Sequence, residues 1–300
     1  MSTLDFTGRA VVITGAGRGI GRAHALLLAA RGASVVVADL GARTDGAGVA
    51  GDDPAAAVVA EITAAGGTAV AVRSDVSTEA GADAVVAAAV DSFGRLDAVI
   101  NNAGIVRTAH FDEVPRAEYQ RHLDVHFFGS LLVTRAAWPH LKASGTGRVV
   151  NTVSGAMLGN PLMTHYGSSK GAVFGLTRNL ALEGVEHGIT VNALAPGAGT
   201  RMAEESADSL SPEIMAYLRT LRPEHVAPVA AYLVHPSSTV TGEVFTVAGG
   251  QVLRTAVVNT TGIYDPNLTP ETVAERFDEV MAITPDAVPQ VVPAPVPSGS

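Results

Sequence analysis

The 300-residue chain is acidic and rich in apolar side chains, with 47% hydrophobic and 16% charged residues, a net charge of −9 and a pI near 5.4. This composition supplies a large core and excludes disorder for most of the chain. The acidic balance argues against nucleic acid and acidic lipid as partners. Cysteine is absent, which excludes disulfides and thiolate chemistry. No apolar run reaches the roughly 18 residues of a membrane helix and no targeting segment is seen, so we expect a soluble, cytoplasmic protein.

Seven short runs rich in β-branched residues alternate with stretches of helical periodicity. They cover residues 9–14, 34–40, 68–76, 96–104, 148–154, 189–197 and 242–250. Because the strands are apolar on both faces, they predict a parallel sheet that is covered by helices on each side. The predicted fold is α/β, a Rossmann-like doubly wound parallel sheet of about seven strands in a single domain, residues 1–255. Such a sheet binds its ligand outside the carboxyl ends of the strands.

Two parts of the chain fall outside this alternation. Residues 41–55 are rich in Gly and Asp and predict a long mobile loop after the second strand. Residues 256–284 predict an extension with a short helix, for which Thr269 provides the N-cap and Pro270 the first position. Residues 285–300 are rich in proline and predict an extended or disordered tail.

The segment from Thr14 to Gly21 reads T-G-x-x-x-G-x-G and lies between the first predicted strand and the first predicted helix. Gly15, Gly19 and Gly21 permit a sharp turn and a close approach of the backbone to a pyrophosphate, while the helix N-terminus offers free N–H groups. A glycine loop alone also fits an ordinary tight turn. Its position in a βαβ unit favours dinucleotide binding.

Asp39 ends the second predicted strand, where a carboxylate accepts hydrogen bonds from the adenosine ribose hydroxyls and repels a 2′-phosphate. This position favours NAD over NADP. Arg18 argues in the other direction, because a cation in the glycine loop can reach a phosphate. The structural alternative for Asp39 is a solvated residue at the edge of a loop.

Tyr166 and Lys170 are four residues apart in a helical segment, so their side chains project from one face. A phenol with a pKa near 10 is a poor base at neutral pH, but a neighbouring ammonium and a positive nicotinamide ring favour the phenolate. The pair is a candidate acid–base couple for an alcohol or a carbonyl; the alternative is two residues that share a face by chance. Ser154, at the end of the fifth predicted strand, either holds the substrate oxygen or forms a turn.

In order and spacing, these motifs resemble the short-chain dehydrogenase/reductase family over residues 6–250, together with Asp75-Val76, N-N-A-G at 101–104 and P-G-A-G-T at 196–200. The resemblance implies that Tyr166 is the acid/base, that Lys170 lowers its pKa and binds the nicotinamide ribose, and that Ser154 orients the substrate oxygen. It implies a homodimer or homotetramer in which two long helices pair. The implied cofactor-binding residues are Gly15, Arg18, Gly19, Ile20, Gly21, Asp39, Leu40, Asp75, Val76, Asn102, Ala103, Gly104, Tyr166, Lys170, Pro196, Gly197 and Thr200.

Two positions depart from the family pattern. Ser154 is one residue closer to Tyr166 than is usual, which predicts a shortened substrate loop. His126 stands where the family has an asparagine that holds a water partly through its backbone carbonyl. His122 and His126 also form an i, i+4 pair like that of a zinc helix, but H-L-D-V-H lacks the glutamate and no third ligand is evident, so no metal is predicted.

Several stretches are similar to one branch of the family, the dehydrogenase module of peroxisomal multifunctional enzyme type 2 and its bacterial single-domain relatives, which act on (3R)-3-hydroxyacyl-CoA. They include V-H-F-F-G-S, V-T-R-A-A-W-P-H-L-K and R-P-E-H-V-A-P-V-A-A-Y-L, whereas the branch's G-N-F-G-Q reads G-N-P-L-M here. The favoured substrate is therefore a (3R)-3-hydroxyacyl-CoA, with Arg107 and Arg201 as candidate contacts to CoA. The alternatives are a steroid, terpenoid or other lipophilic secondary alcohol, and a non-catalytic dinucleotide-binding protein.

Overall fold

The computed structural model describes residues 3–46, 48, 51–200, 204 and 211–292, and its centre is an eight-stranded sheet in the order β3-β2-β1-β4-β5-β6-β7-β8. The first seven strands are parallel, which confirms the predicted fold class. The strands are Ala10–Thr14 (β1), Ser34–Ala38 (β2), Thr68–Val72 (β3), Ala98–Asn101 (β4), Arg148–Thr152 (β5), Thr190–Gly197 (β6), Val244–Ala248 (β7) and Gln251–Thr255 (β8).

Strand β8 was not predicted. It pairs antiparallel with β7 through a two-residue turn in which Gly249 and Gly250 both have positive φ, the requirement of a type I′ hairpin. Four of its five side chains are exposed and the fifth is only half-buried. The run Q-V-L-R-T therefore lacks the apolar character by which the parallel strands are recognised.

Helices cover both faces of the sheet. In the described part of the chain they are Gly19–Ala30 (α1), Pro54–Ala64 (α2), Glu79–Phe93 (α3), Arg116–Leu123 (α4), Gly129–Ser144 (α5), Thr164–Gly184 (α6), Pro212–Thr220 (α7), Ala227–Val234 (α8), Pro270–Glu275 (α9) and Phe277–Met281 (α10). A single π-helical turn, Asp124–Phe128, joins α4 to α5 without a break. None of the helices in the described ranges is long and apolar enough to cross a membrane.

Successive residues of each central strand serve opposite cores, as the two-residue period of a strand requires. On one face Ile13 packs with side chains of α1 and α8 such as Leu28 and Leu233. On the other face Val12 packs with side chains of α3 and α5 such as Val85 and Leu141. Helices therefore cover both faces of the central strands, and the carboxyl ends of the strands are the place that is left for a ligand.

The strand order reverses between β1 and β4, because the chain moves outward from β1 to β3 and then returns to β4 on the other side. At that point the Thr14 hydroxyl accepts hydrogen bonds from the backbone N–H groups of Asn102 and Ala103, at 3.0 and 3.1 Å. The Asn102 side chain in turn donates to the carbonyls of Thr14 and Gly15. This bonding fixes the position of the two loops that leave the switch point, where ligands bind in open α/β sheets.

The C-terminal segment returns to the body of the protein. Val258–Asn259 (β9) pairs antiparallel with Val288–Pro289 (β10), and the Arg178 guanidinium on α6 donates to the carbonyls of Gly242 and Gln290. The Thr269 hydroxyl caps α9 by accepting from the N–H of Thr272, as predicted. Residues 293–300 of the predicted tail, like Arg201, lie outside the described residues.

Candidate active site

A cavity of about 580 Å³ opens at the carboxyl ends of the strands. It brings together the predicted catalytic residues Ser154, Tyr166 and Lys170. Of the predicted cofactor-binding residues, all but one line it: Gly15, Arg18, Gly19, Ile20, Asp39, Leu40, Asp75, Val76, Asn102, Ala103, Gly104, Tyr166, Lys170, Pro196, Gly197 and Thr200. Gly21 does not line it. A single cleft thus contains residues from segments far apart in the sequence.

Gly21 packs against the backbone of the glycine loop, where there is no space for a side chain. A Cβ atom at this position would lie 2.2 Å from the Gly15 carbonyl oxygen and 2.6 Å from the Asn102 side-chain nitrogen. Gly15 and Gly19 have φ values of +61° and +52°, which L side chains rarely adopt. No side chain caps the N-terminus of α1 at Arg18. The loop and the helix end therefore present backbone N–H groups and the positive end of the dipole to the cleft.

The Asp39 carboxylate is held in place by two glycines. It accepts from the N–H of Gly17 and from the N–H of Gly41, each at 2.8 Å. Arg18 forms an ion pair with Asp52, which lies in the loop between β2 and α2. The negative charge at the end of β2 is thus fixed in orientation, while the cation in the glycine loop is already next to a carboxylate.

Tyr166 and Lys170 lie in the first two turns of the long helix α6. Both are buried, with 9% and 3% of their surfaces exposed. The Lys170 ammonium donates to the Thr152 carbonyl at 2.8 Å and lies 5.8 Å from the centre of the Tyr166 ring. The Ser154 side chain lies beside the Tyr166 phenol, and both side chains line the cleft. The Ser154 hydroxyl accepts from the N–H of Ala156, so the turn-forming role and the position beside the tyrosine occur together.

The pKa values of the pair are governed by burial. Burial lowers the pKa of Lys170 to about 7. Burial also raises the pKa of Tyr166, while the hydrogen bond with Ser154 lowers it in part. The protein groups alone therefore favour the neutral phenol. A positive charge beside the phenol, such as that of a bound nicotinamide ring, would lower its pKa in the predicted direction.

His126 lies in the π-helical turn and is buried beside Tyr166, with the two ring centres 5.3 Å apart. Its Nε2 accepts from the N–H of Ile105 at 3.0 Å, and its Nδ1 is 2.7 Å from the Ser169 hydroxyl. Its backbone carbonyl accepts from the Ser130 hydroxyl. Neither Ile105 nor Ser169 was predicted; the sequence signal for Ser169 is its place three residues after Tyr166, on the same helix face.

His122 lies next to His126, but the two side chains have different hydrogen-bond partners. Its Nδ1 donates to the Glu118 carbonyl at 2.8 Å, and its ring is packed edge-on against His165. Within the described ranges, no group of three or more His, Asp or Glu side chains is arranged to hold a metal ion. The i, i+4 histidine pair is therefore part of a packed polar cluster.

The Gly-rich insertion after β2 contributes to the cleft, which the sequence did not predict. Ala42, Arg43, Thr44 and Gly46 line it. The Thr44 carbonyl accepts from the N–H of Val106 at 2.9 Å, so the insertion crosses to the loop after β4. A glycine-rich composition predicts a loop but not the surface on which the loop rests.

The sequence matches the model of the short chain dehydrogenase family over residues 9–210. The chain belongs to this family, and with it to the oxidoreductases that use a nicotinamide dinucleotide. It is 44% identical to a short-chain type dehydrogenase/reductase of Mycobacterium tuberculosis over 274 residues, which cover 91% of this chain and 93% of the relative.

The chain is also 39% identical to mouse peroxisomal multifunctional enzyme type 2 over 296 residues; these cover 97% of this chain but 39% of that protein. Among solved structures, a 7α-hydroxysteroid dehydrogenase complexed with NADH and 7-oxo glycochenodeoxycholic acid is 34% identical with a TM-score of 0.73. The match covers 83% of this chain and 98% of that one. These similarities confirm the relation to the dehydrogenase module of the multifunctional enzymes.

Burial of Lys170 has a consequence for stability. Between its pKa of about 7 in the folded protein and its ordinary value of 10.5, the unfolded chain binds one more proton than the folded one. The free energy of unfolding of the parent should therefore rise with pH across this window relative to Lys170→Met, by at most about 1.4 kcal/mol per pH unit. Below pH 7 the difference should be constant. Urea unfolding between pH 6 and 9 measures it, with the exposed Lys142→Met as control. A difference in unfolding free energy that does not change with pH would contradict the lowered pKa of Lys170 in the folded protein.

Proposed function

We propose that the protein is an NAD-dependent oxidoreductase that interconverts a secondary alcohol and a ketone, with Ser154, Tyr166 and Lys170 as catalytic residues. The observation that carries the proposal is the meeting of these three buried side chains with the glycine loop in one cleft. In this mechanism the phenolate form of Tyr166 would take the hydroxyl proton of the alcohol, while Ser154 holds the substrate oxygen. Lys170 binds the nicotinamide ribose.

The cleft fits a dinucleotide. Gly15 lines it, and a side chain there would collide with the neighbouring loop, because a Cβ atom at Gly15 would lie 2.8 Å from the Cα of Ala103. The uncapped N-terminus of α1 supplies donors for a pyrophosphate. When bound, the nicotinamide ring supplies the hydride acceptor. We assign the binding of the dinucleotide to the predicted residues that line the cleft.

NAD is the proposed cofactor because the Asp39 carboxylate lies at the adenosine end of the cleft. Two backbone N–H groups hold its oxygens, so the charge cannot swing away from a 2′-phosphate. The ion pair between Arg18 and Asp52 supports the same choice, since it places a second carboxylate next to the cation that NADP would need.

The substrate that we favour is a (3R)-3-hydroxyacyl-CoA, in keeping with the similarity to multifunctional enzyme type 2 over nearly the whole chain. Arg107 and Arg121 share one buried carboxylate, Glu118, at 3.1 and 3.4 Å. Two cations on one anion leave an excess positive charge, which suits the phosphates of CoA. The alternative is a steroid, terpenoid or other lipophilic secondary alcohol, which the likeness to the 7α-hydroxysteroid dehydrogenase favours.

We also propose a cytoplasmic homodimer or homotetramer. Apolar side chains are exposed on the long helix α6, as at Leu182, and on the C-terminal segment, as at Phe277 and Ile283, where the exposed fractions are 56%, 50% and 78%. Surfaces of this kind are buried when copies of a chain associate.

An NAD-coupled screen tests the reaction and the substrate together. (3R)-Hydroxyacyl-CoAs of several chain lengths are compared with steroid and terpenoid alcohols, and NADH formation is followed. We expect turnover with the acyl-CoAs and a loss of about 10²- to 10⁴-fold in kcat for Tyr166→Phe, with Tyr232→Phe, an exposed tyrosine, as control. Activity on the lipophilic alcohols alone would overturn the CoA assignment. Tight NAD binding without turnover on any of them would favour a non-catalytic role.

Replacement of Asp39 tests the cofactor. Asp39→Asn keeps an oxygen acceptor for Gly17 but removes the charge, so kcat/KM with NADP should rise relative to that with NAD by about 10- to 100-fold, the worth of a hydrogen bond to a charged group. The exposed Asp91→Asn on α3 is the control. An unchanged ratio of the two cofactors would show that Asp39 does not face the ribose.

Light scattering after size-exclusion chromatography tests the assembly. The parent should have a molar mass that is two or four times 30.5 kDa. Leu182→Asp and Ile283→Asp each place a charge on one of the two exposed apolar surfaces, and at least one of them should lower the mass; Ser92→Asp on α3 should not. A monomeric parent would overturn the proposal.

A further inference from the structure

We infer that His126 and Ser169 are positioning residues that fix the catalytic turn of α6 to the loop that follows β4. The inference rests on the proposed function, since it takes Tyr166 as the acid/base and the loop around Gly104 as a wall of the nicotinamide site. It assigns a role to a buried histidine and a buried serine that the proposed chemistry does not otherwise use.

The hydrogen bonds form a series of three with a single allowed direction. The Ser169 hydroxyl donates to the Tyr166 carbonyl at 2.7 Å. Because that hydroxyl has one proton, it must accept from the Nδ1–H of His126, 2.7 Å away. The Nε2 of His126 then accepts from the N–H of Ile105. The imidazole is therefore neutral, with its proton on Nδ1, and both nitrogens are in use.

The surroundings of His126 keep the ring in this state. The ring is 1% exposed, and burial together with the cationic Lys170 holds its pKa well below the ordinary value. His122 on α4, whose ring centre lies 5.6 Å from that of His126, and His165 on α6 also lower this pKa. With no free nitrogen, the imidazole cannot exchange a proton with substrate. Its effect on the reaction must pass through the groups that it holds.

Those groups form the wall of the cleft. A Cβ atom at Gly104 would lie 3.2 Å from the Nε2 of His126, so the ring packs directly against the loop backbone. On the other side of the loop, a Cβ atom at Gly46 would lie 3.2 Å from Ile105, and Val106 donates to the Thr44 carbonyl. The loop is held between the insertion and His126. Through Ser169, the same imidazole fixes the backbone of Tyr166.

The predicted consequence is a loss of alignment without a loss of cofactor binding. Ser169→Ala removes the acceptor for Nδ1–H and leaves the catalytic side chains in place. We expect kcat to fall about tenfold or more while the Kd for NAD changes less than twofold. Ser168→Ala, the exposed neighbouring residue, should match the parent in both quantities. A Ser169→Ala variant with the parent's kcat would overturn the proposal.

A spectroscopic measurement tests the same series without substrate. In protein with ¹⁵N-labelled histidine, His126 should show the Nδ1–H neutral tautomer at every pH from 6 to 8, and His126→Asn identifies its signals by their loss. Ser169→Ala should shift the proton toward Nε2 or mix the two tautomers. A cationic ring, or a proton on Nε2 in the parent, would contradict the direction of the bonds. If the parent has the Nδ1–H tautomer but oxidises no alcohol, the proposed function fails and the inferred bonding stands.

Discussion

The bonding between the ends of β1 and β4 is the constraint on which the site depends. One hydroxyl, that of Thr14, accepts from two consecutive N–H groups of the neighbouring loop, and the Asn102 amide returns two bonds to the first loop. Two loops held this closely leave no space for side chains between them. The glycines at 15 and 21 follow from that closeness, and so does the open groove above them.

Burial sets the chemistry in the deepest part of the groove. Removing an ammonium from water costs free energy, and a single carbonyl, that of Thr152, offsets only part of that cost. Burial makes both the phenol and the ammonium less ready to carry charge. A charged group on a bound ligand would therefore change the protonation balance of this pair.

The sequence predicted the parts of the molecule that repeat a physical rule. The seven parallel strands are rich in apolar residues, and Tyr166 and Lys170 share a helix face, so period and spacing were enough to find them. Strand β8 was missed because its side chains are exposed. The contact of His126 with Ile105 joins residues 21 positions apart, and its contact with Ser169 joins residues 43 positions apart, so neither leaves a local pattern. The path of the insertion after β2 depends on a backbone hydrogen bond from Val106 to Thr44, which does not depend on the type of side chain.

The predicted residues lie around one cleft, but the effect of burial on the pKa values inside it could not be predicted from the sequence. The sequence-based prediction treated Lys170 as a fixed cation next to Tyr166. In the structure the lysine is buried and donates to the Thr152 carbonyl, and burial lowers its pKa to about 7. Whether one side chain is buried depends on how the whole chain packs, and the composition gives only the average degree of burial.

The π-helical turn at Asp124–Phe128 has a consequence for how this protein can change over evolutionary time. Each residue added to or removed from a helix rotates everything beyond it by about 100°. The wide turn holds one residue more than a regular helix would, and so sets the rotational phase of α5 relative to α4. Loss of one residue here would turn the buried side of α5 toward solvent, whereas a change of length in the insertion after β2 would leave every helix in phase. Insertions and deletions are therefore tolerated very unequally along this chain.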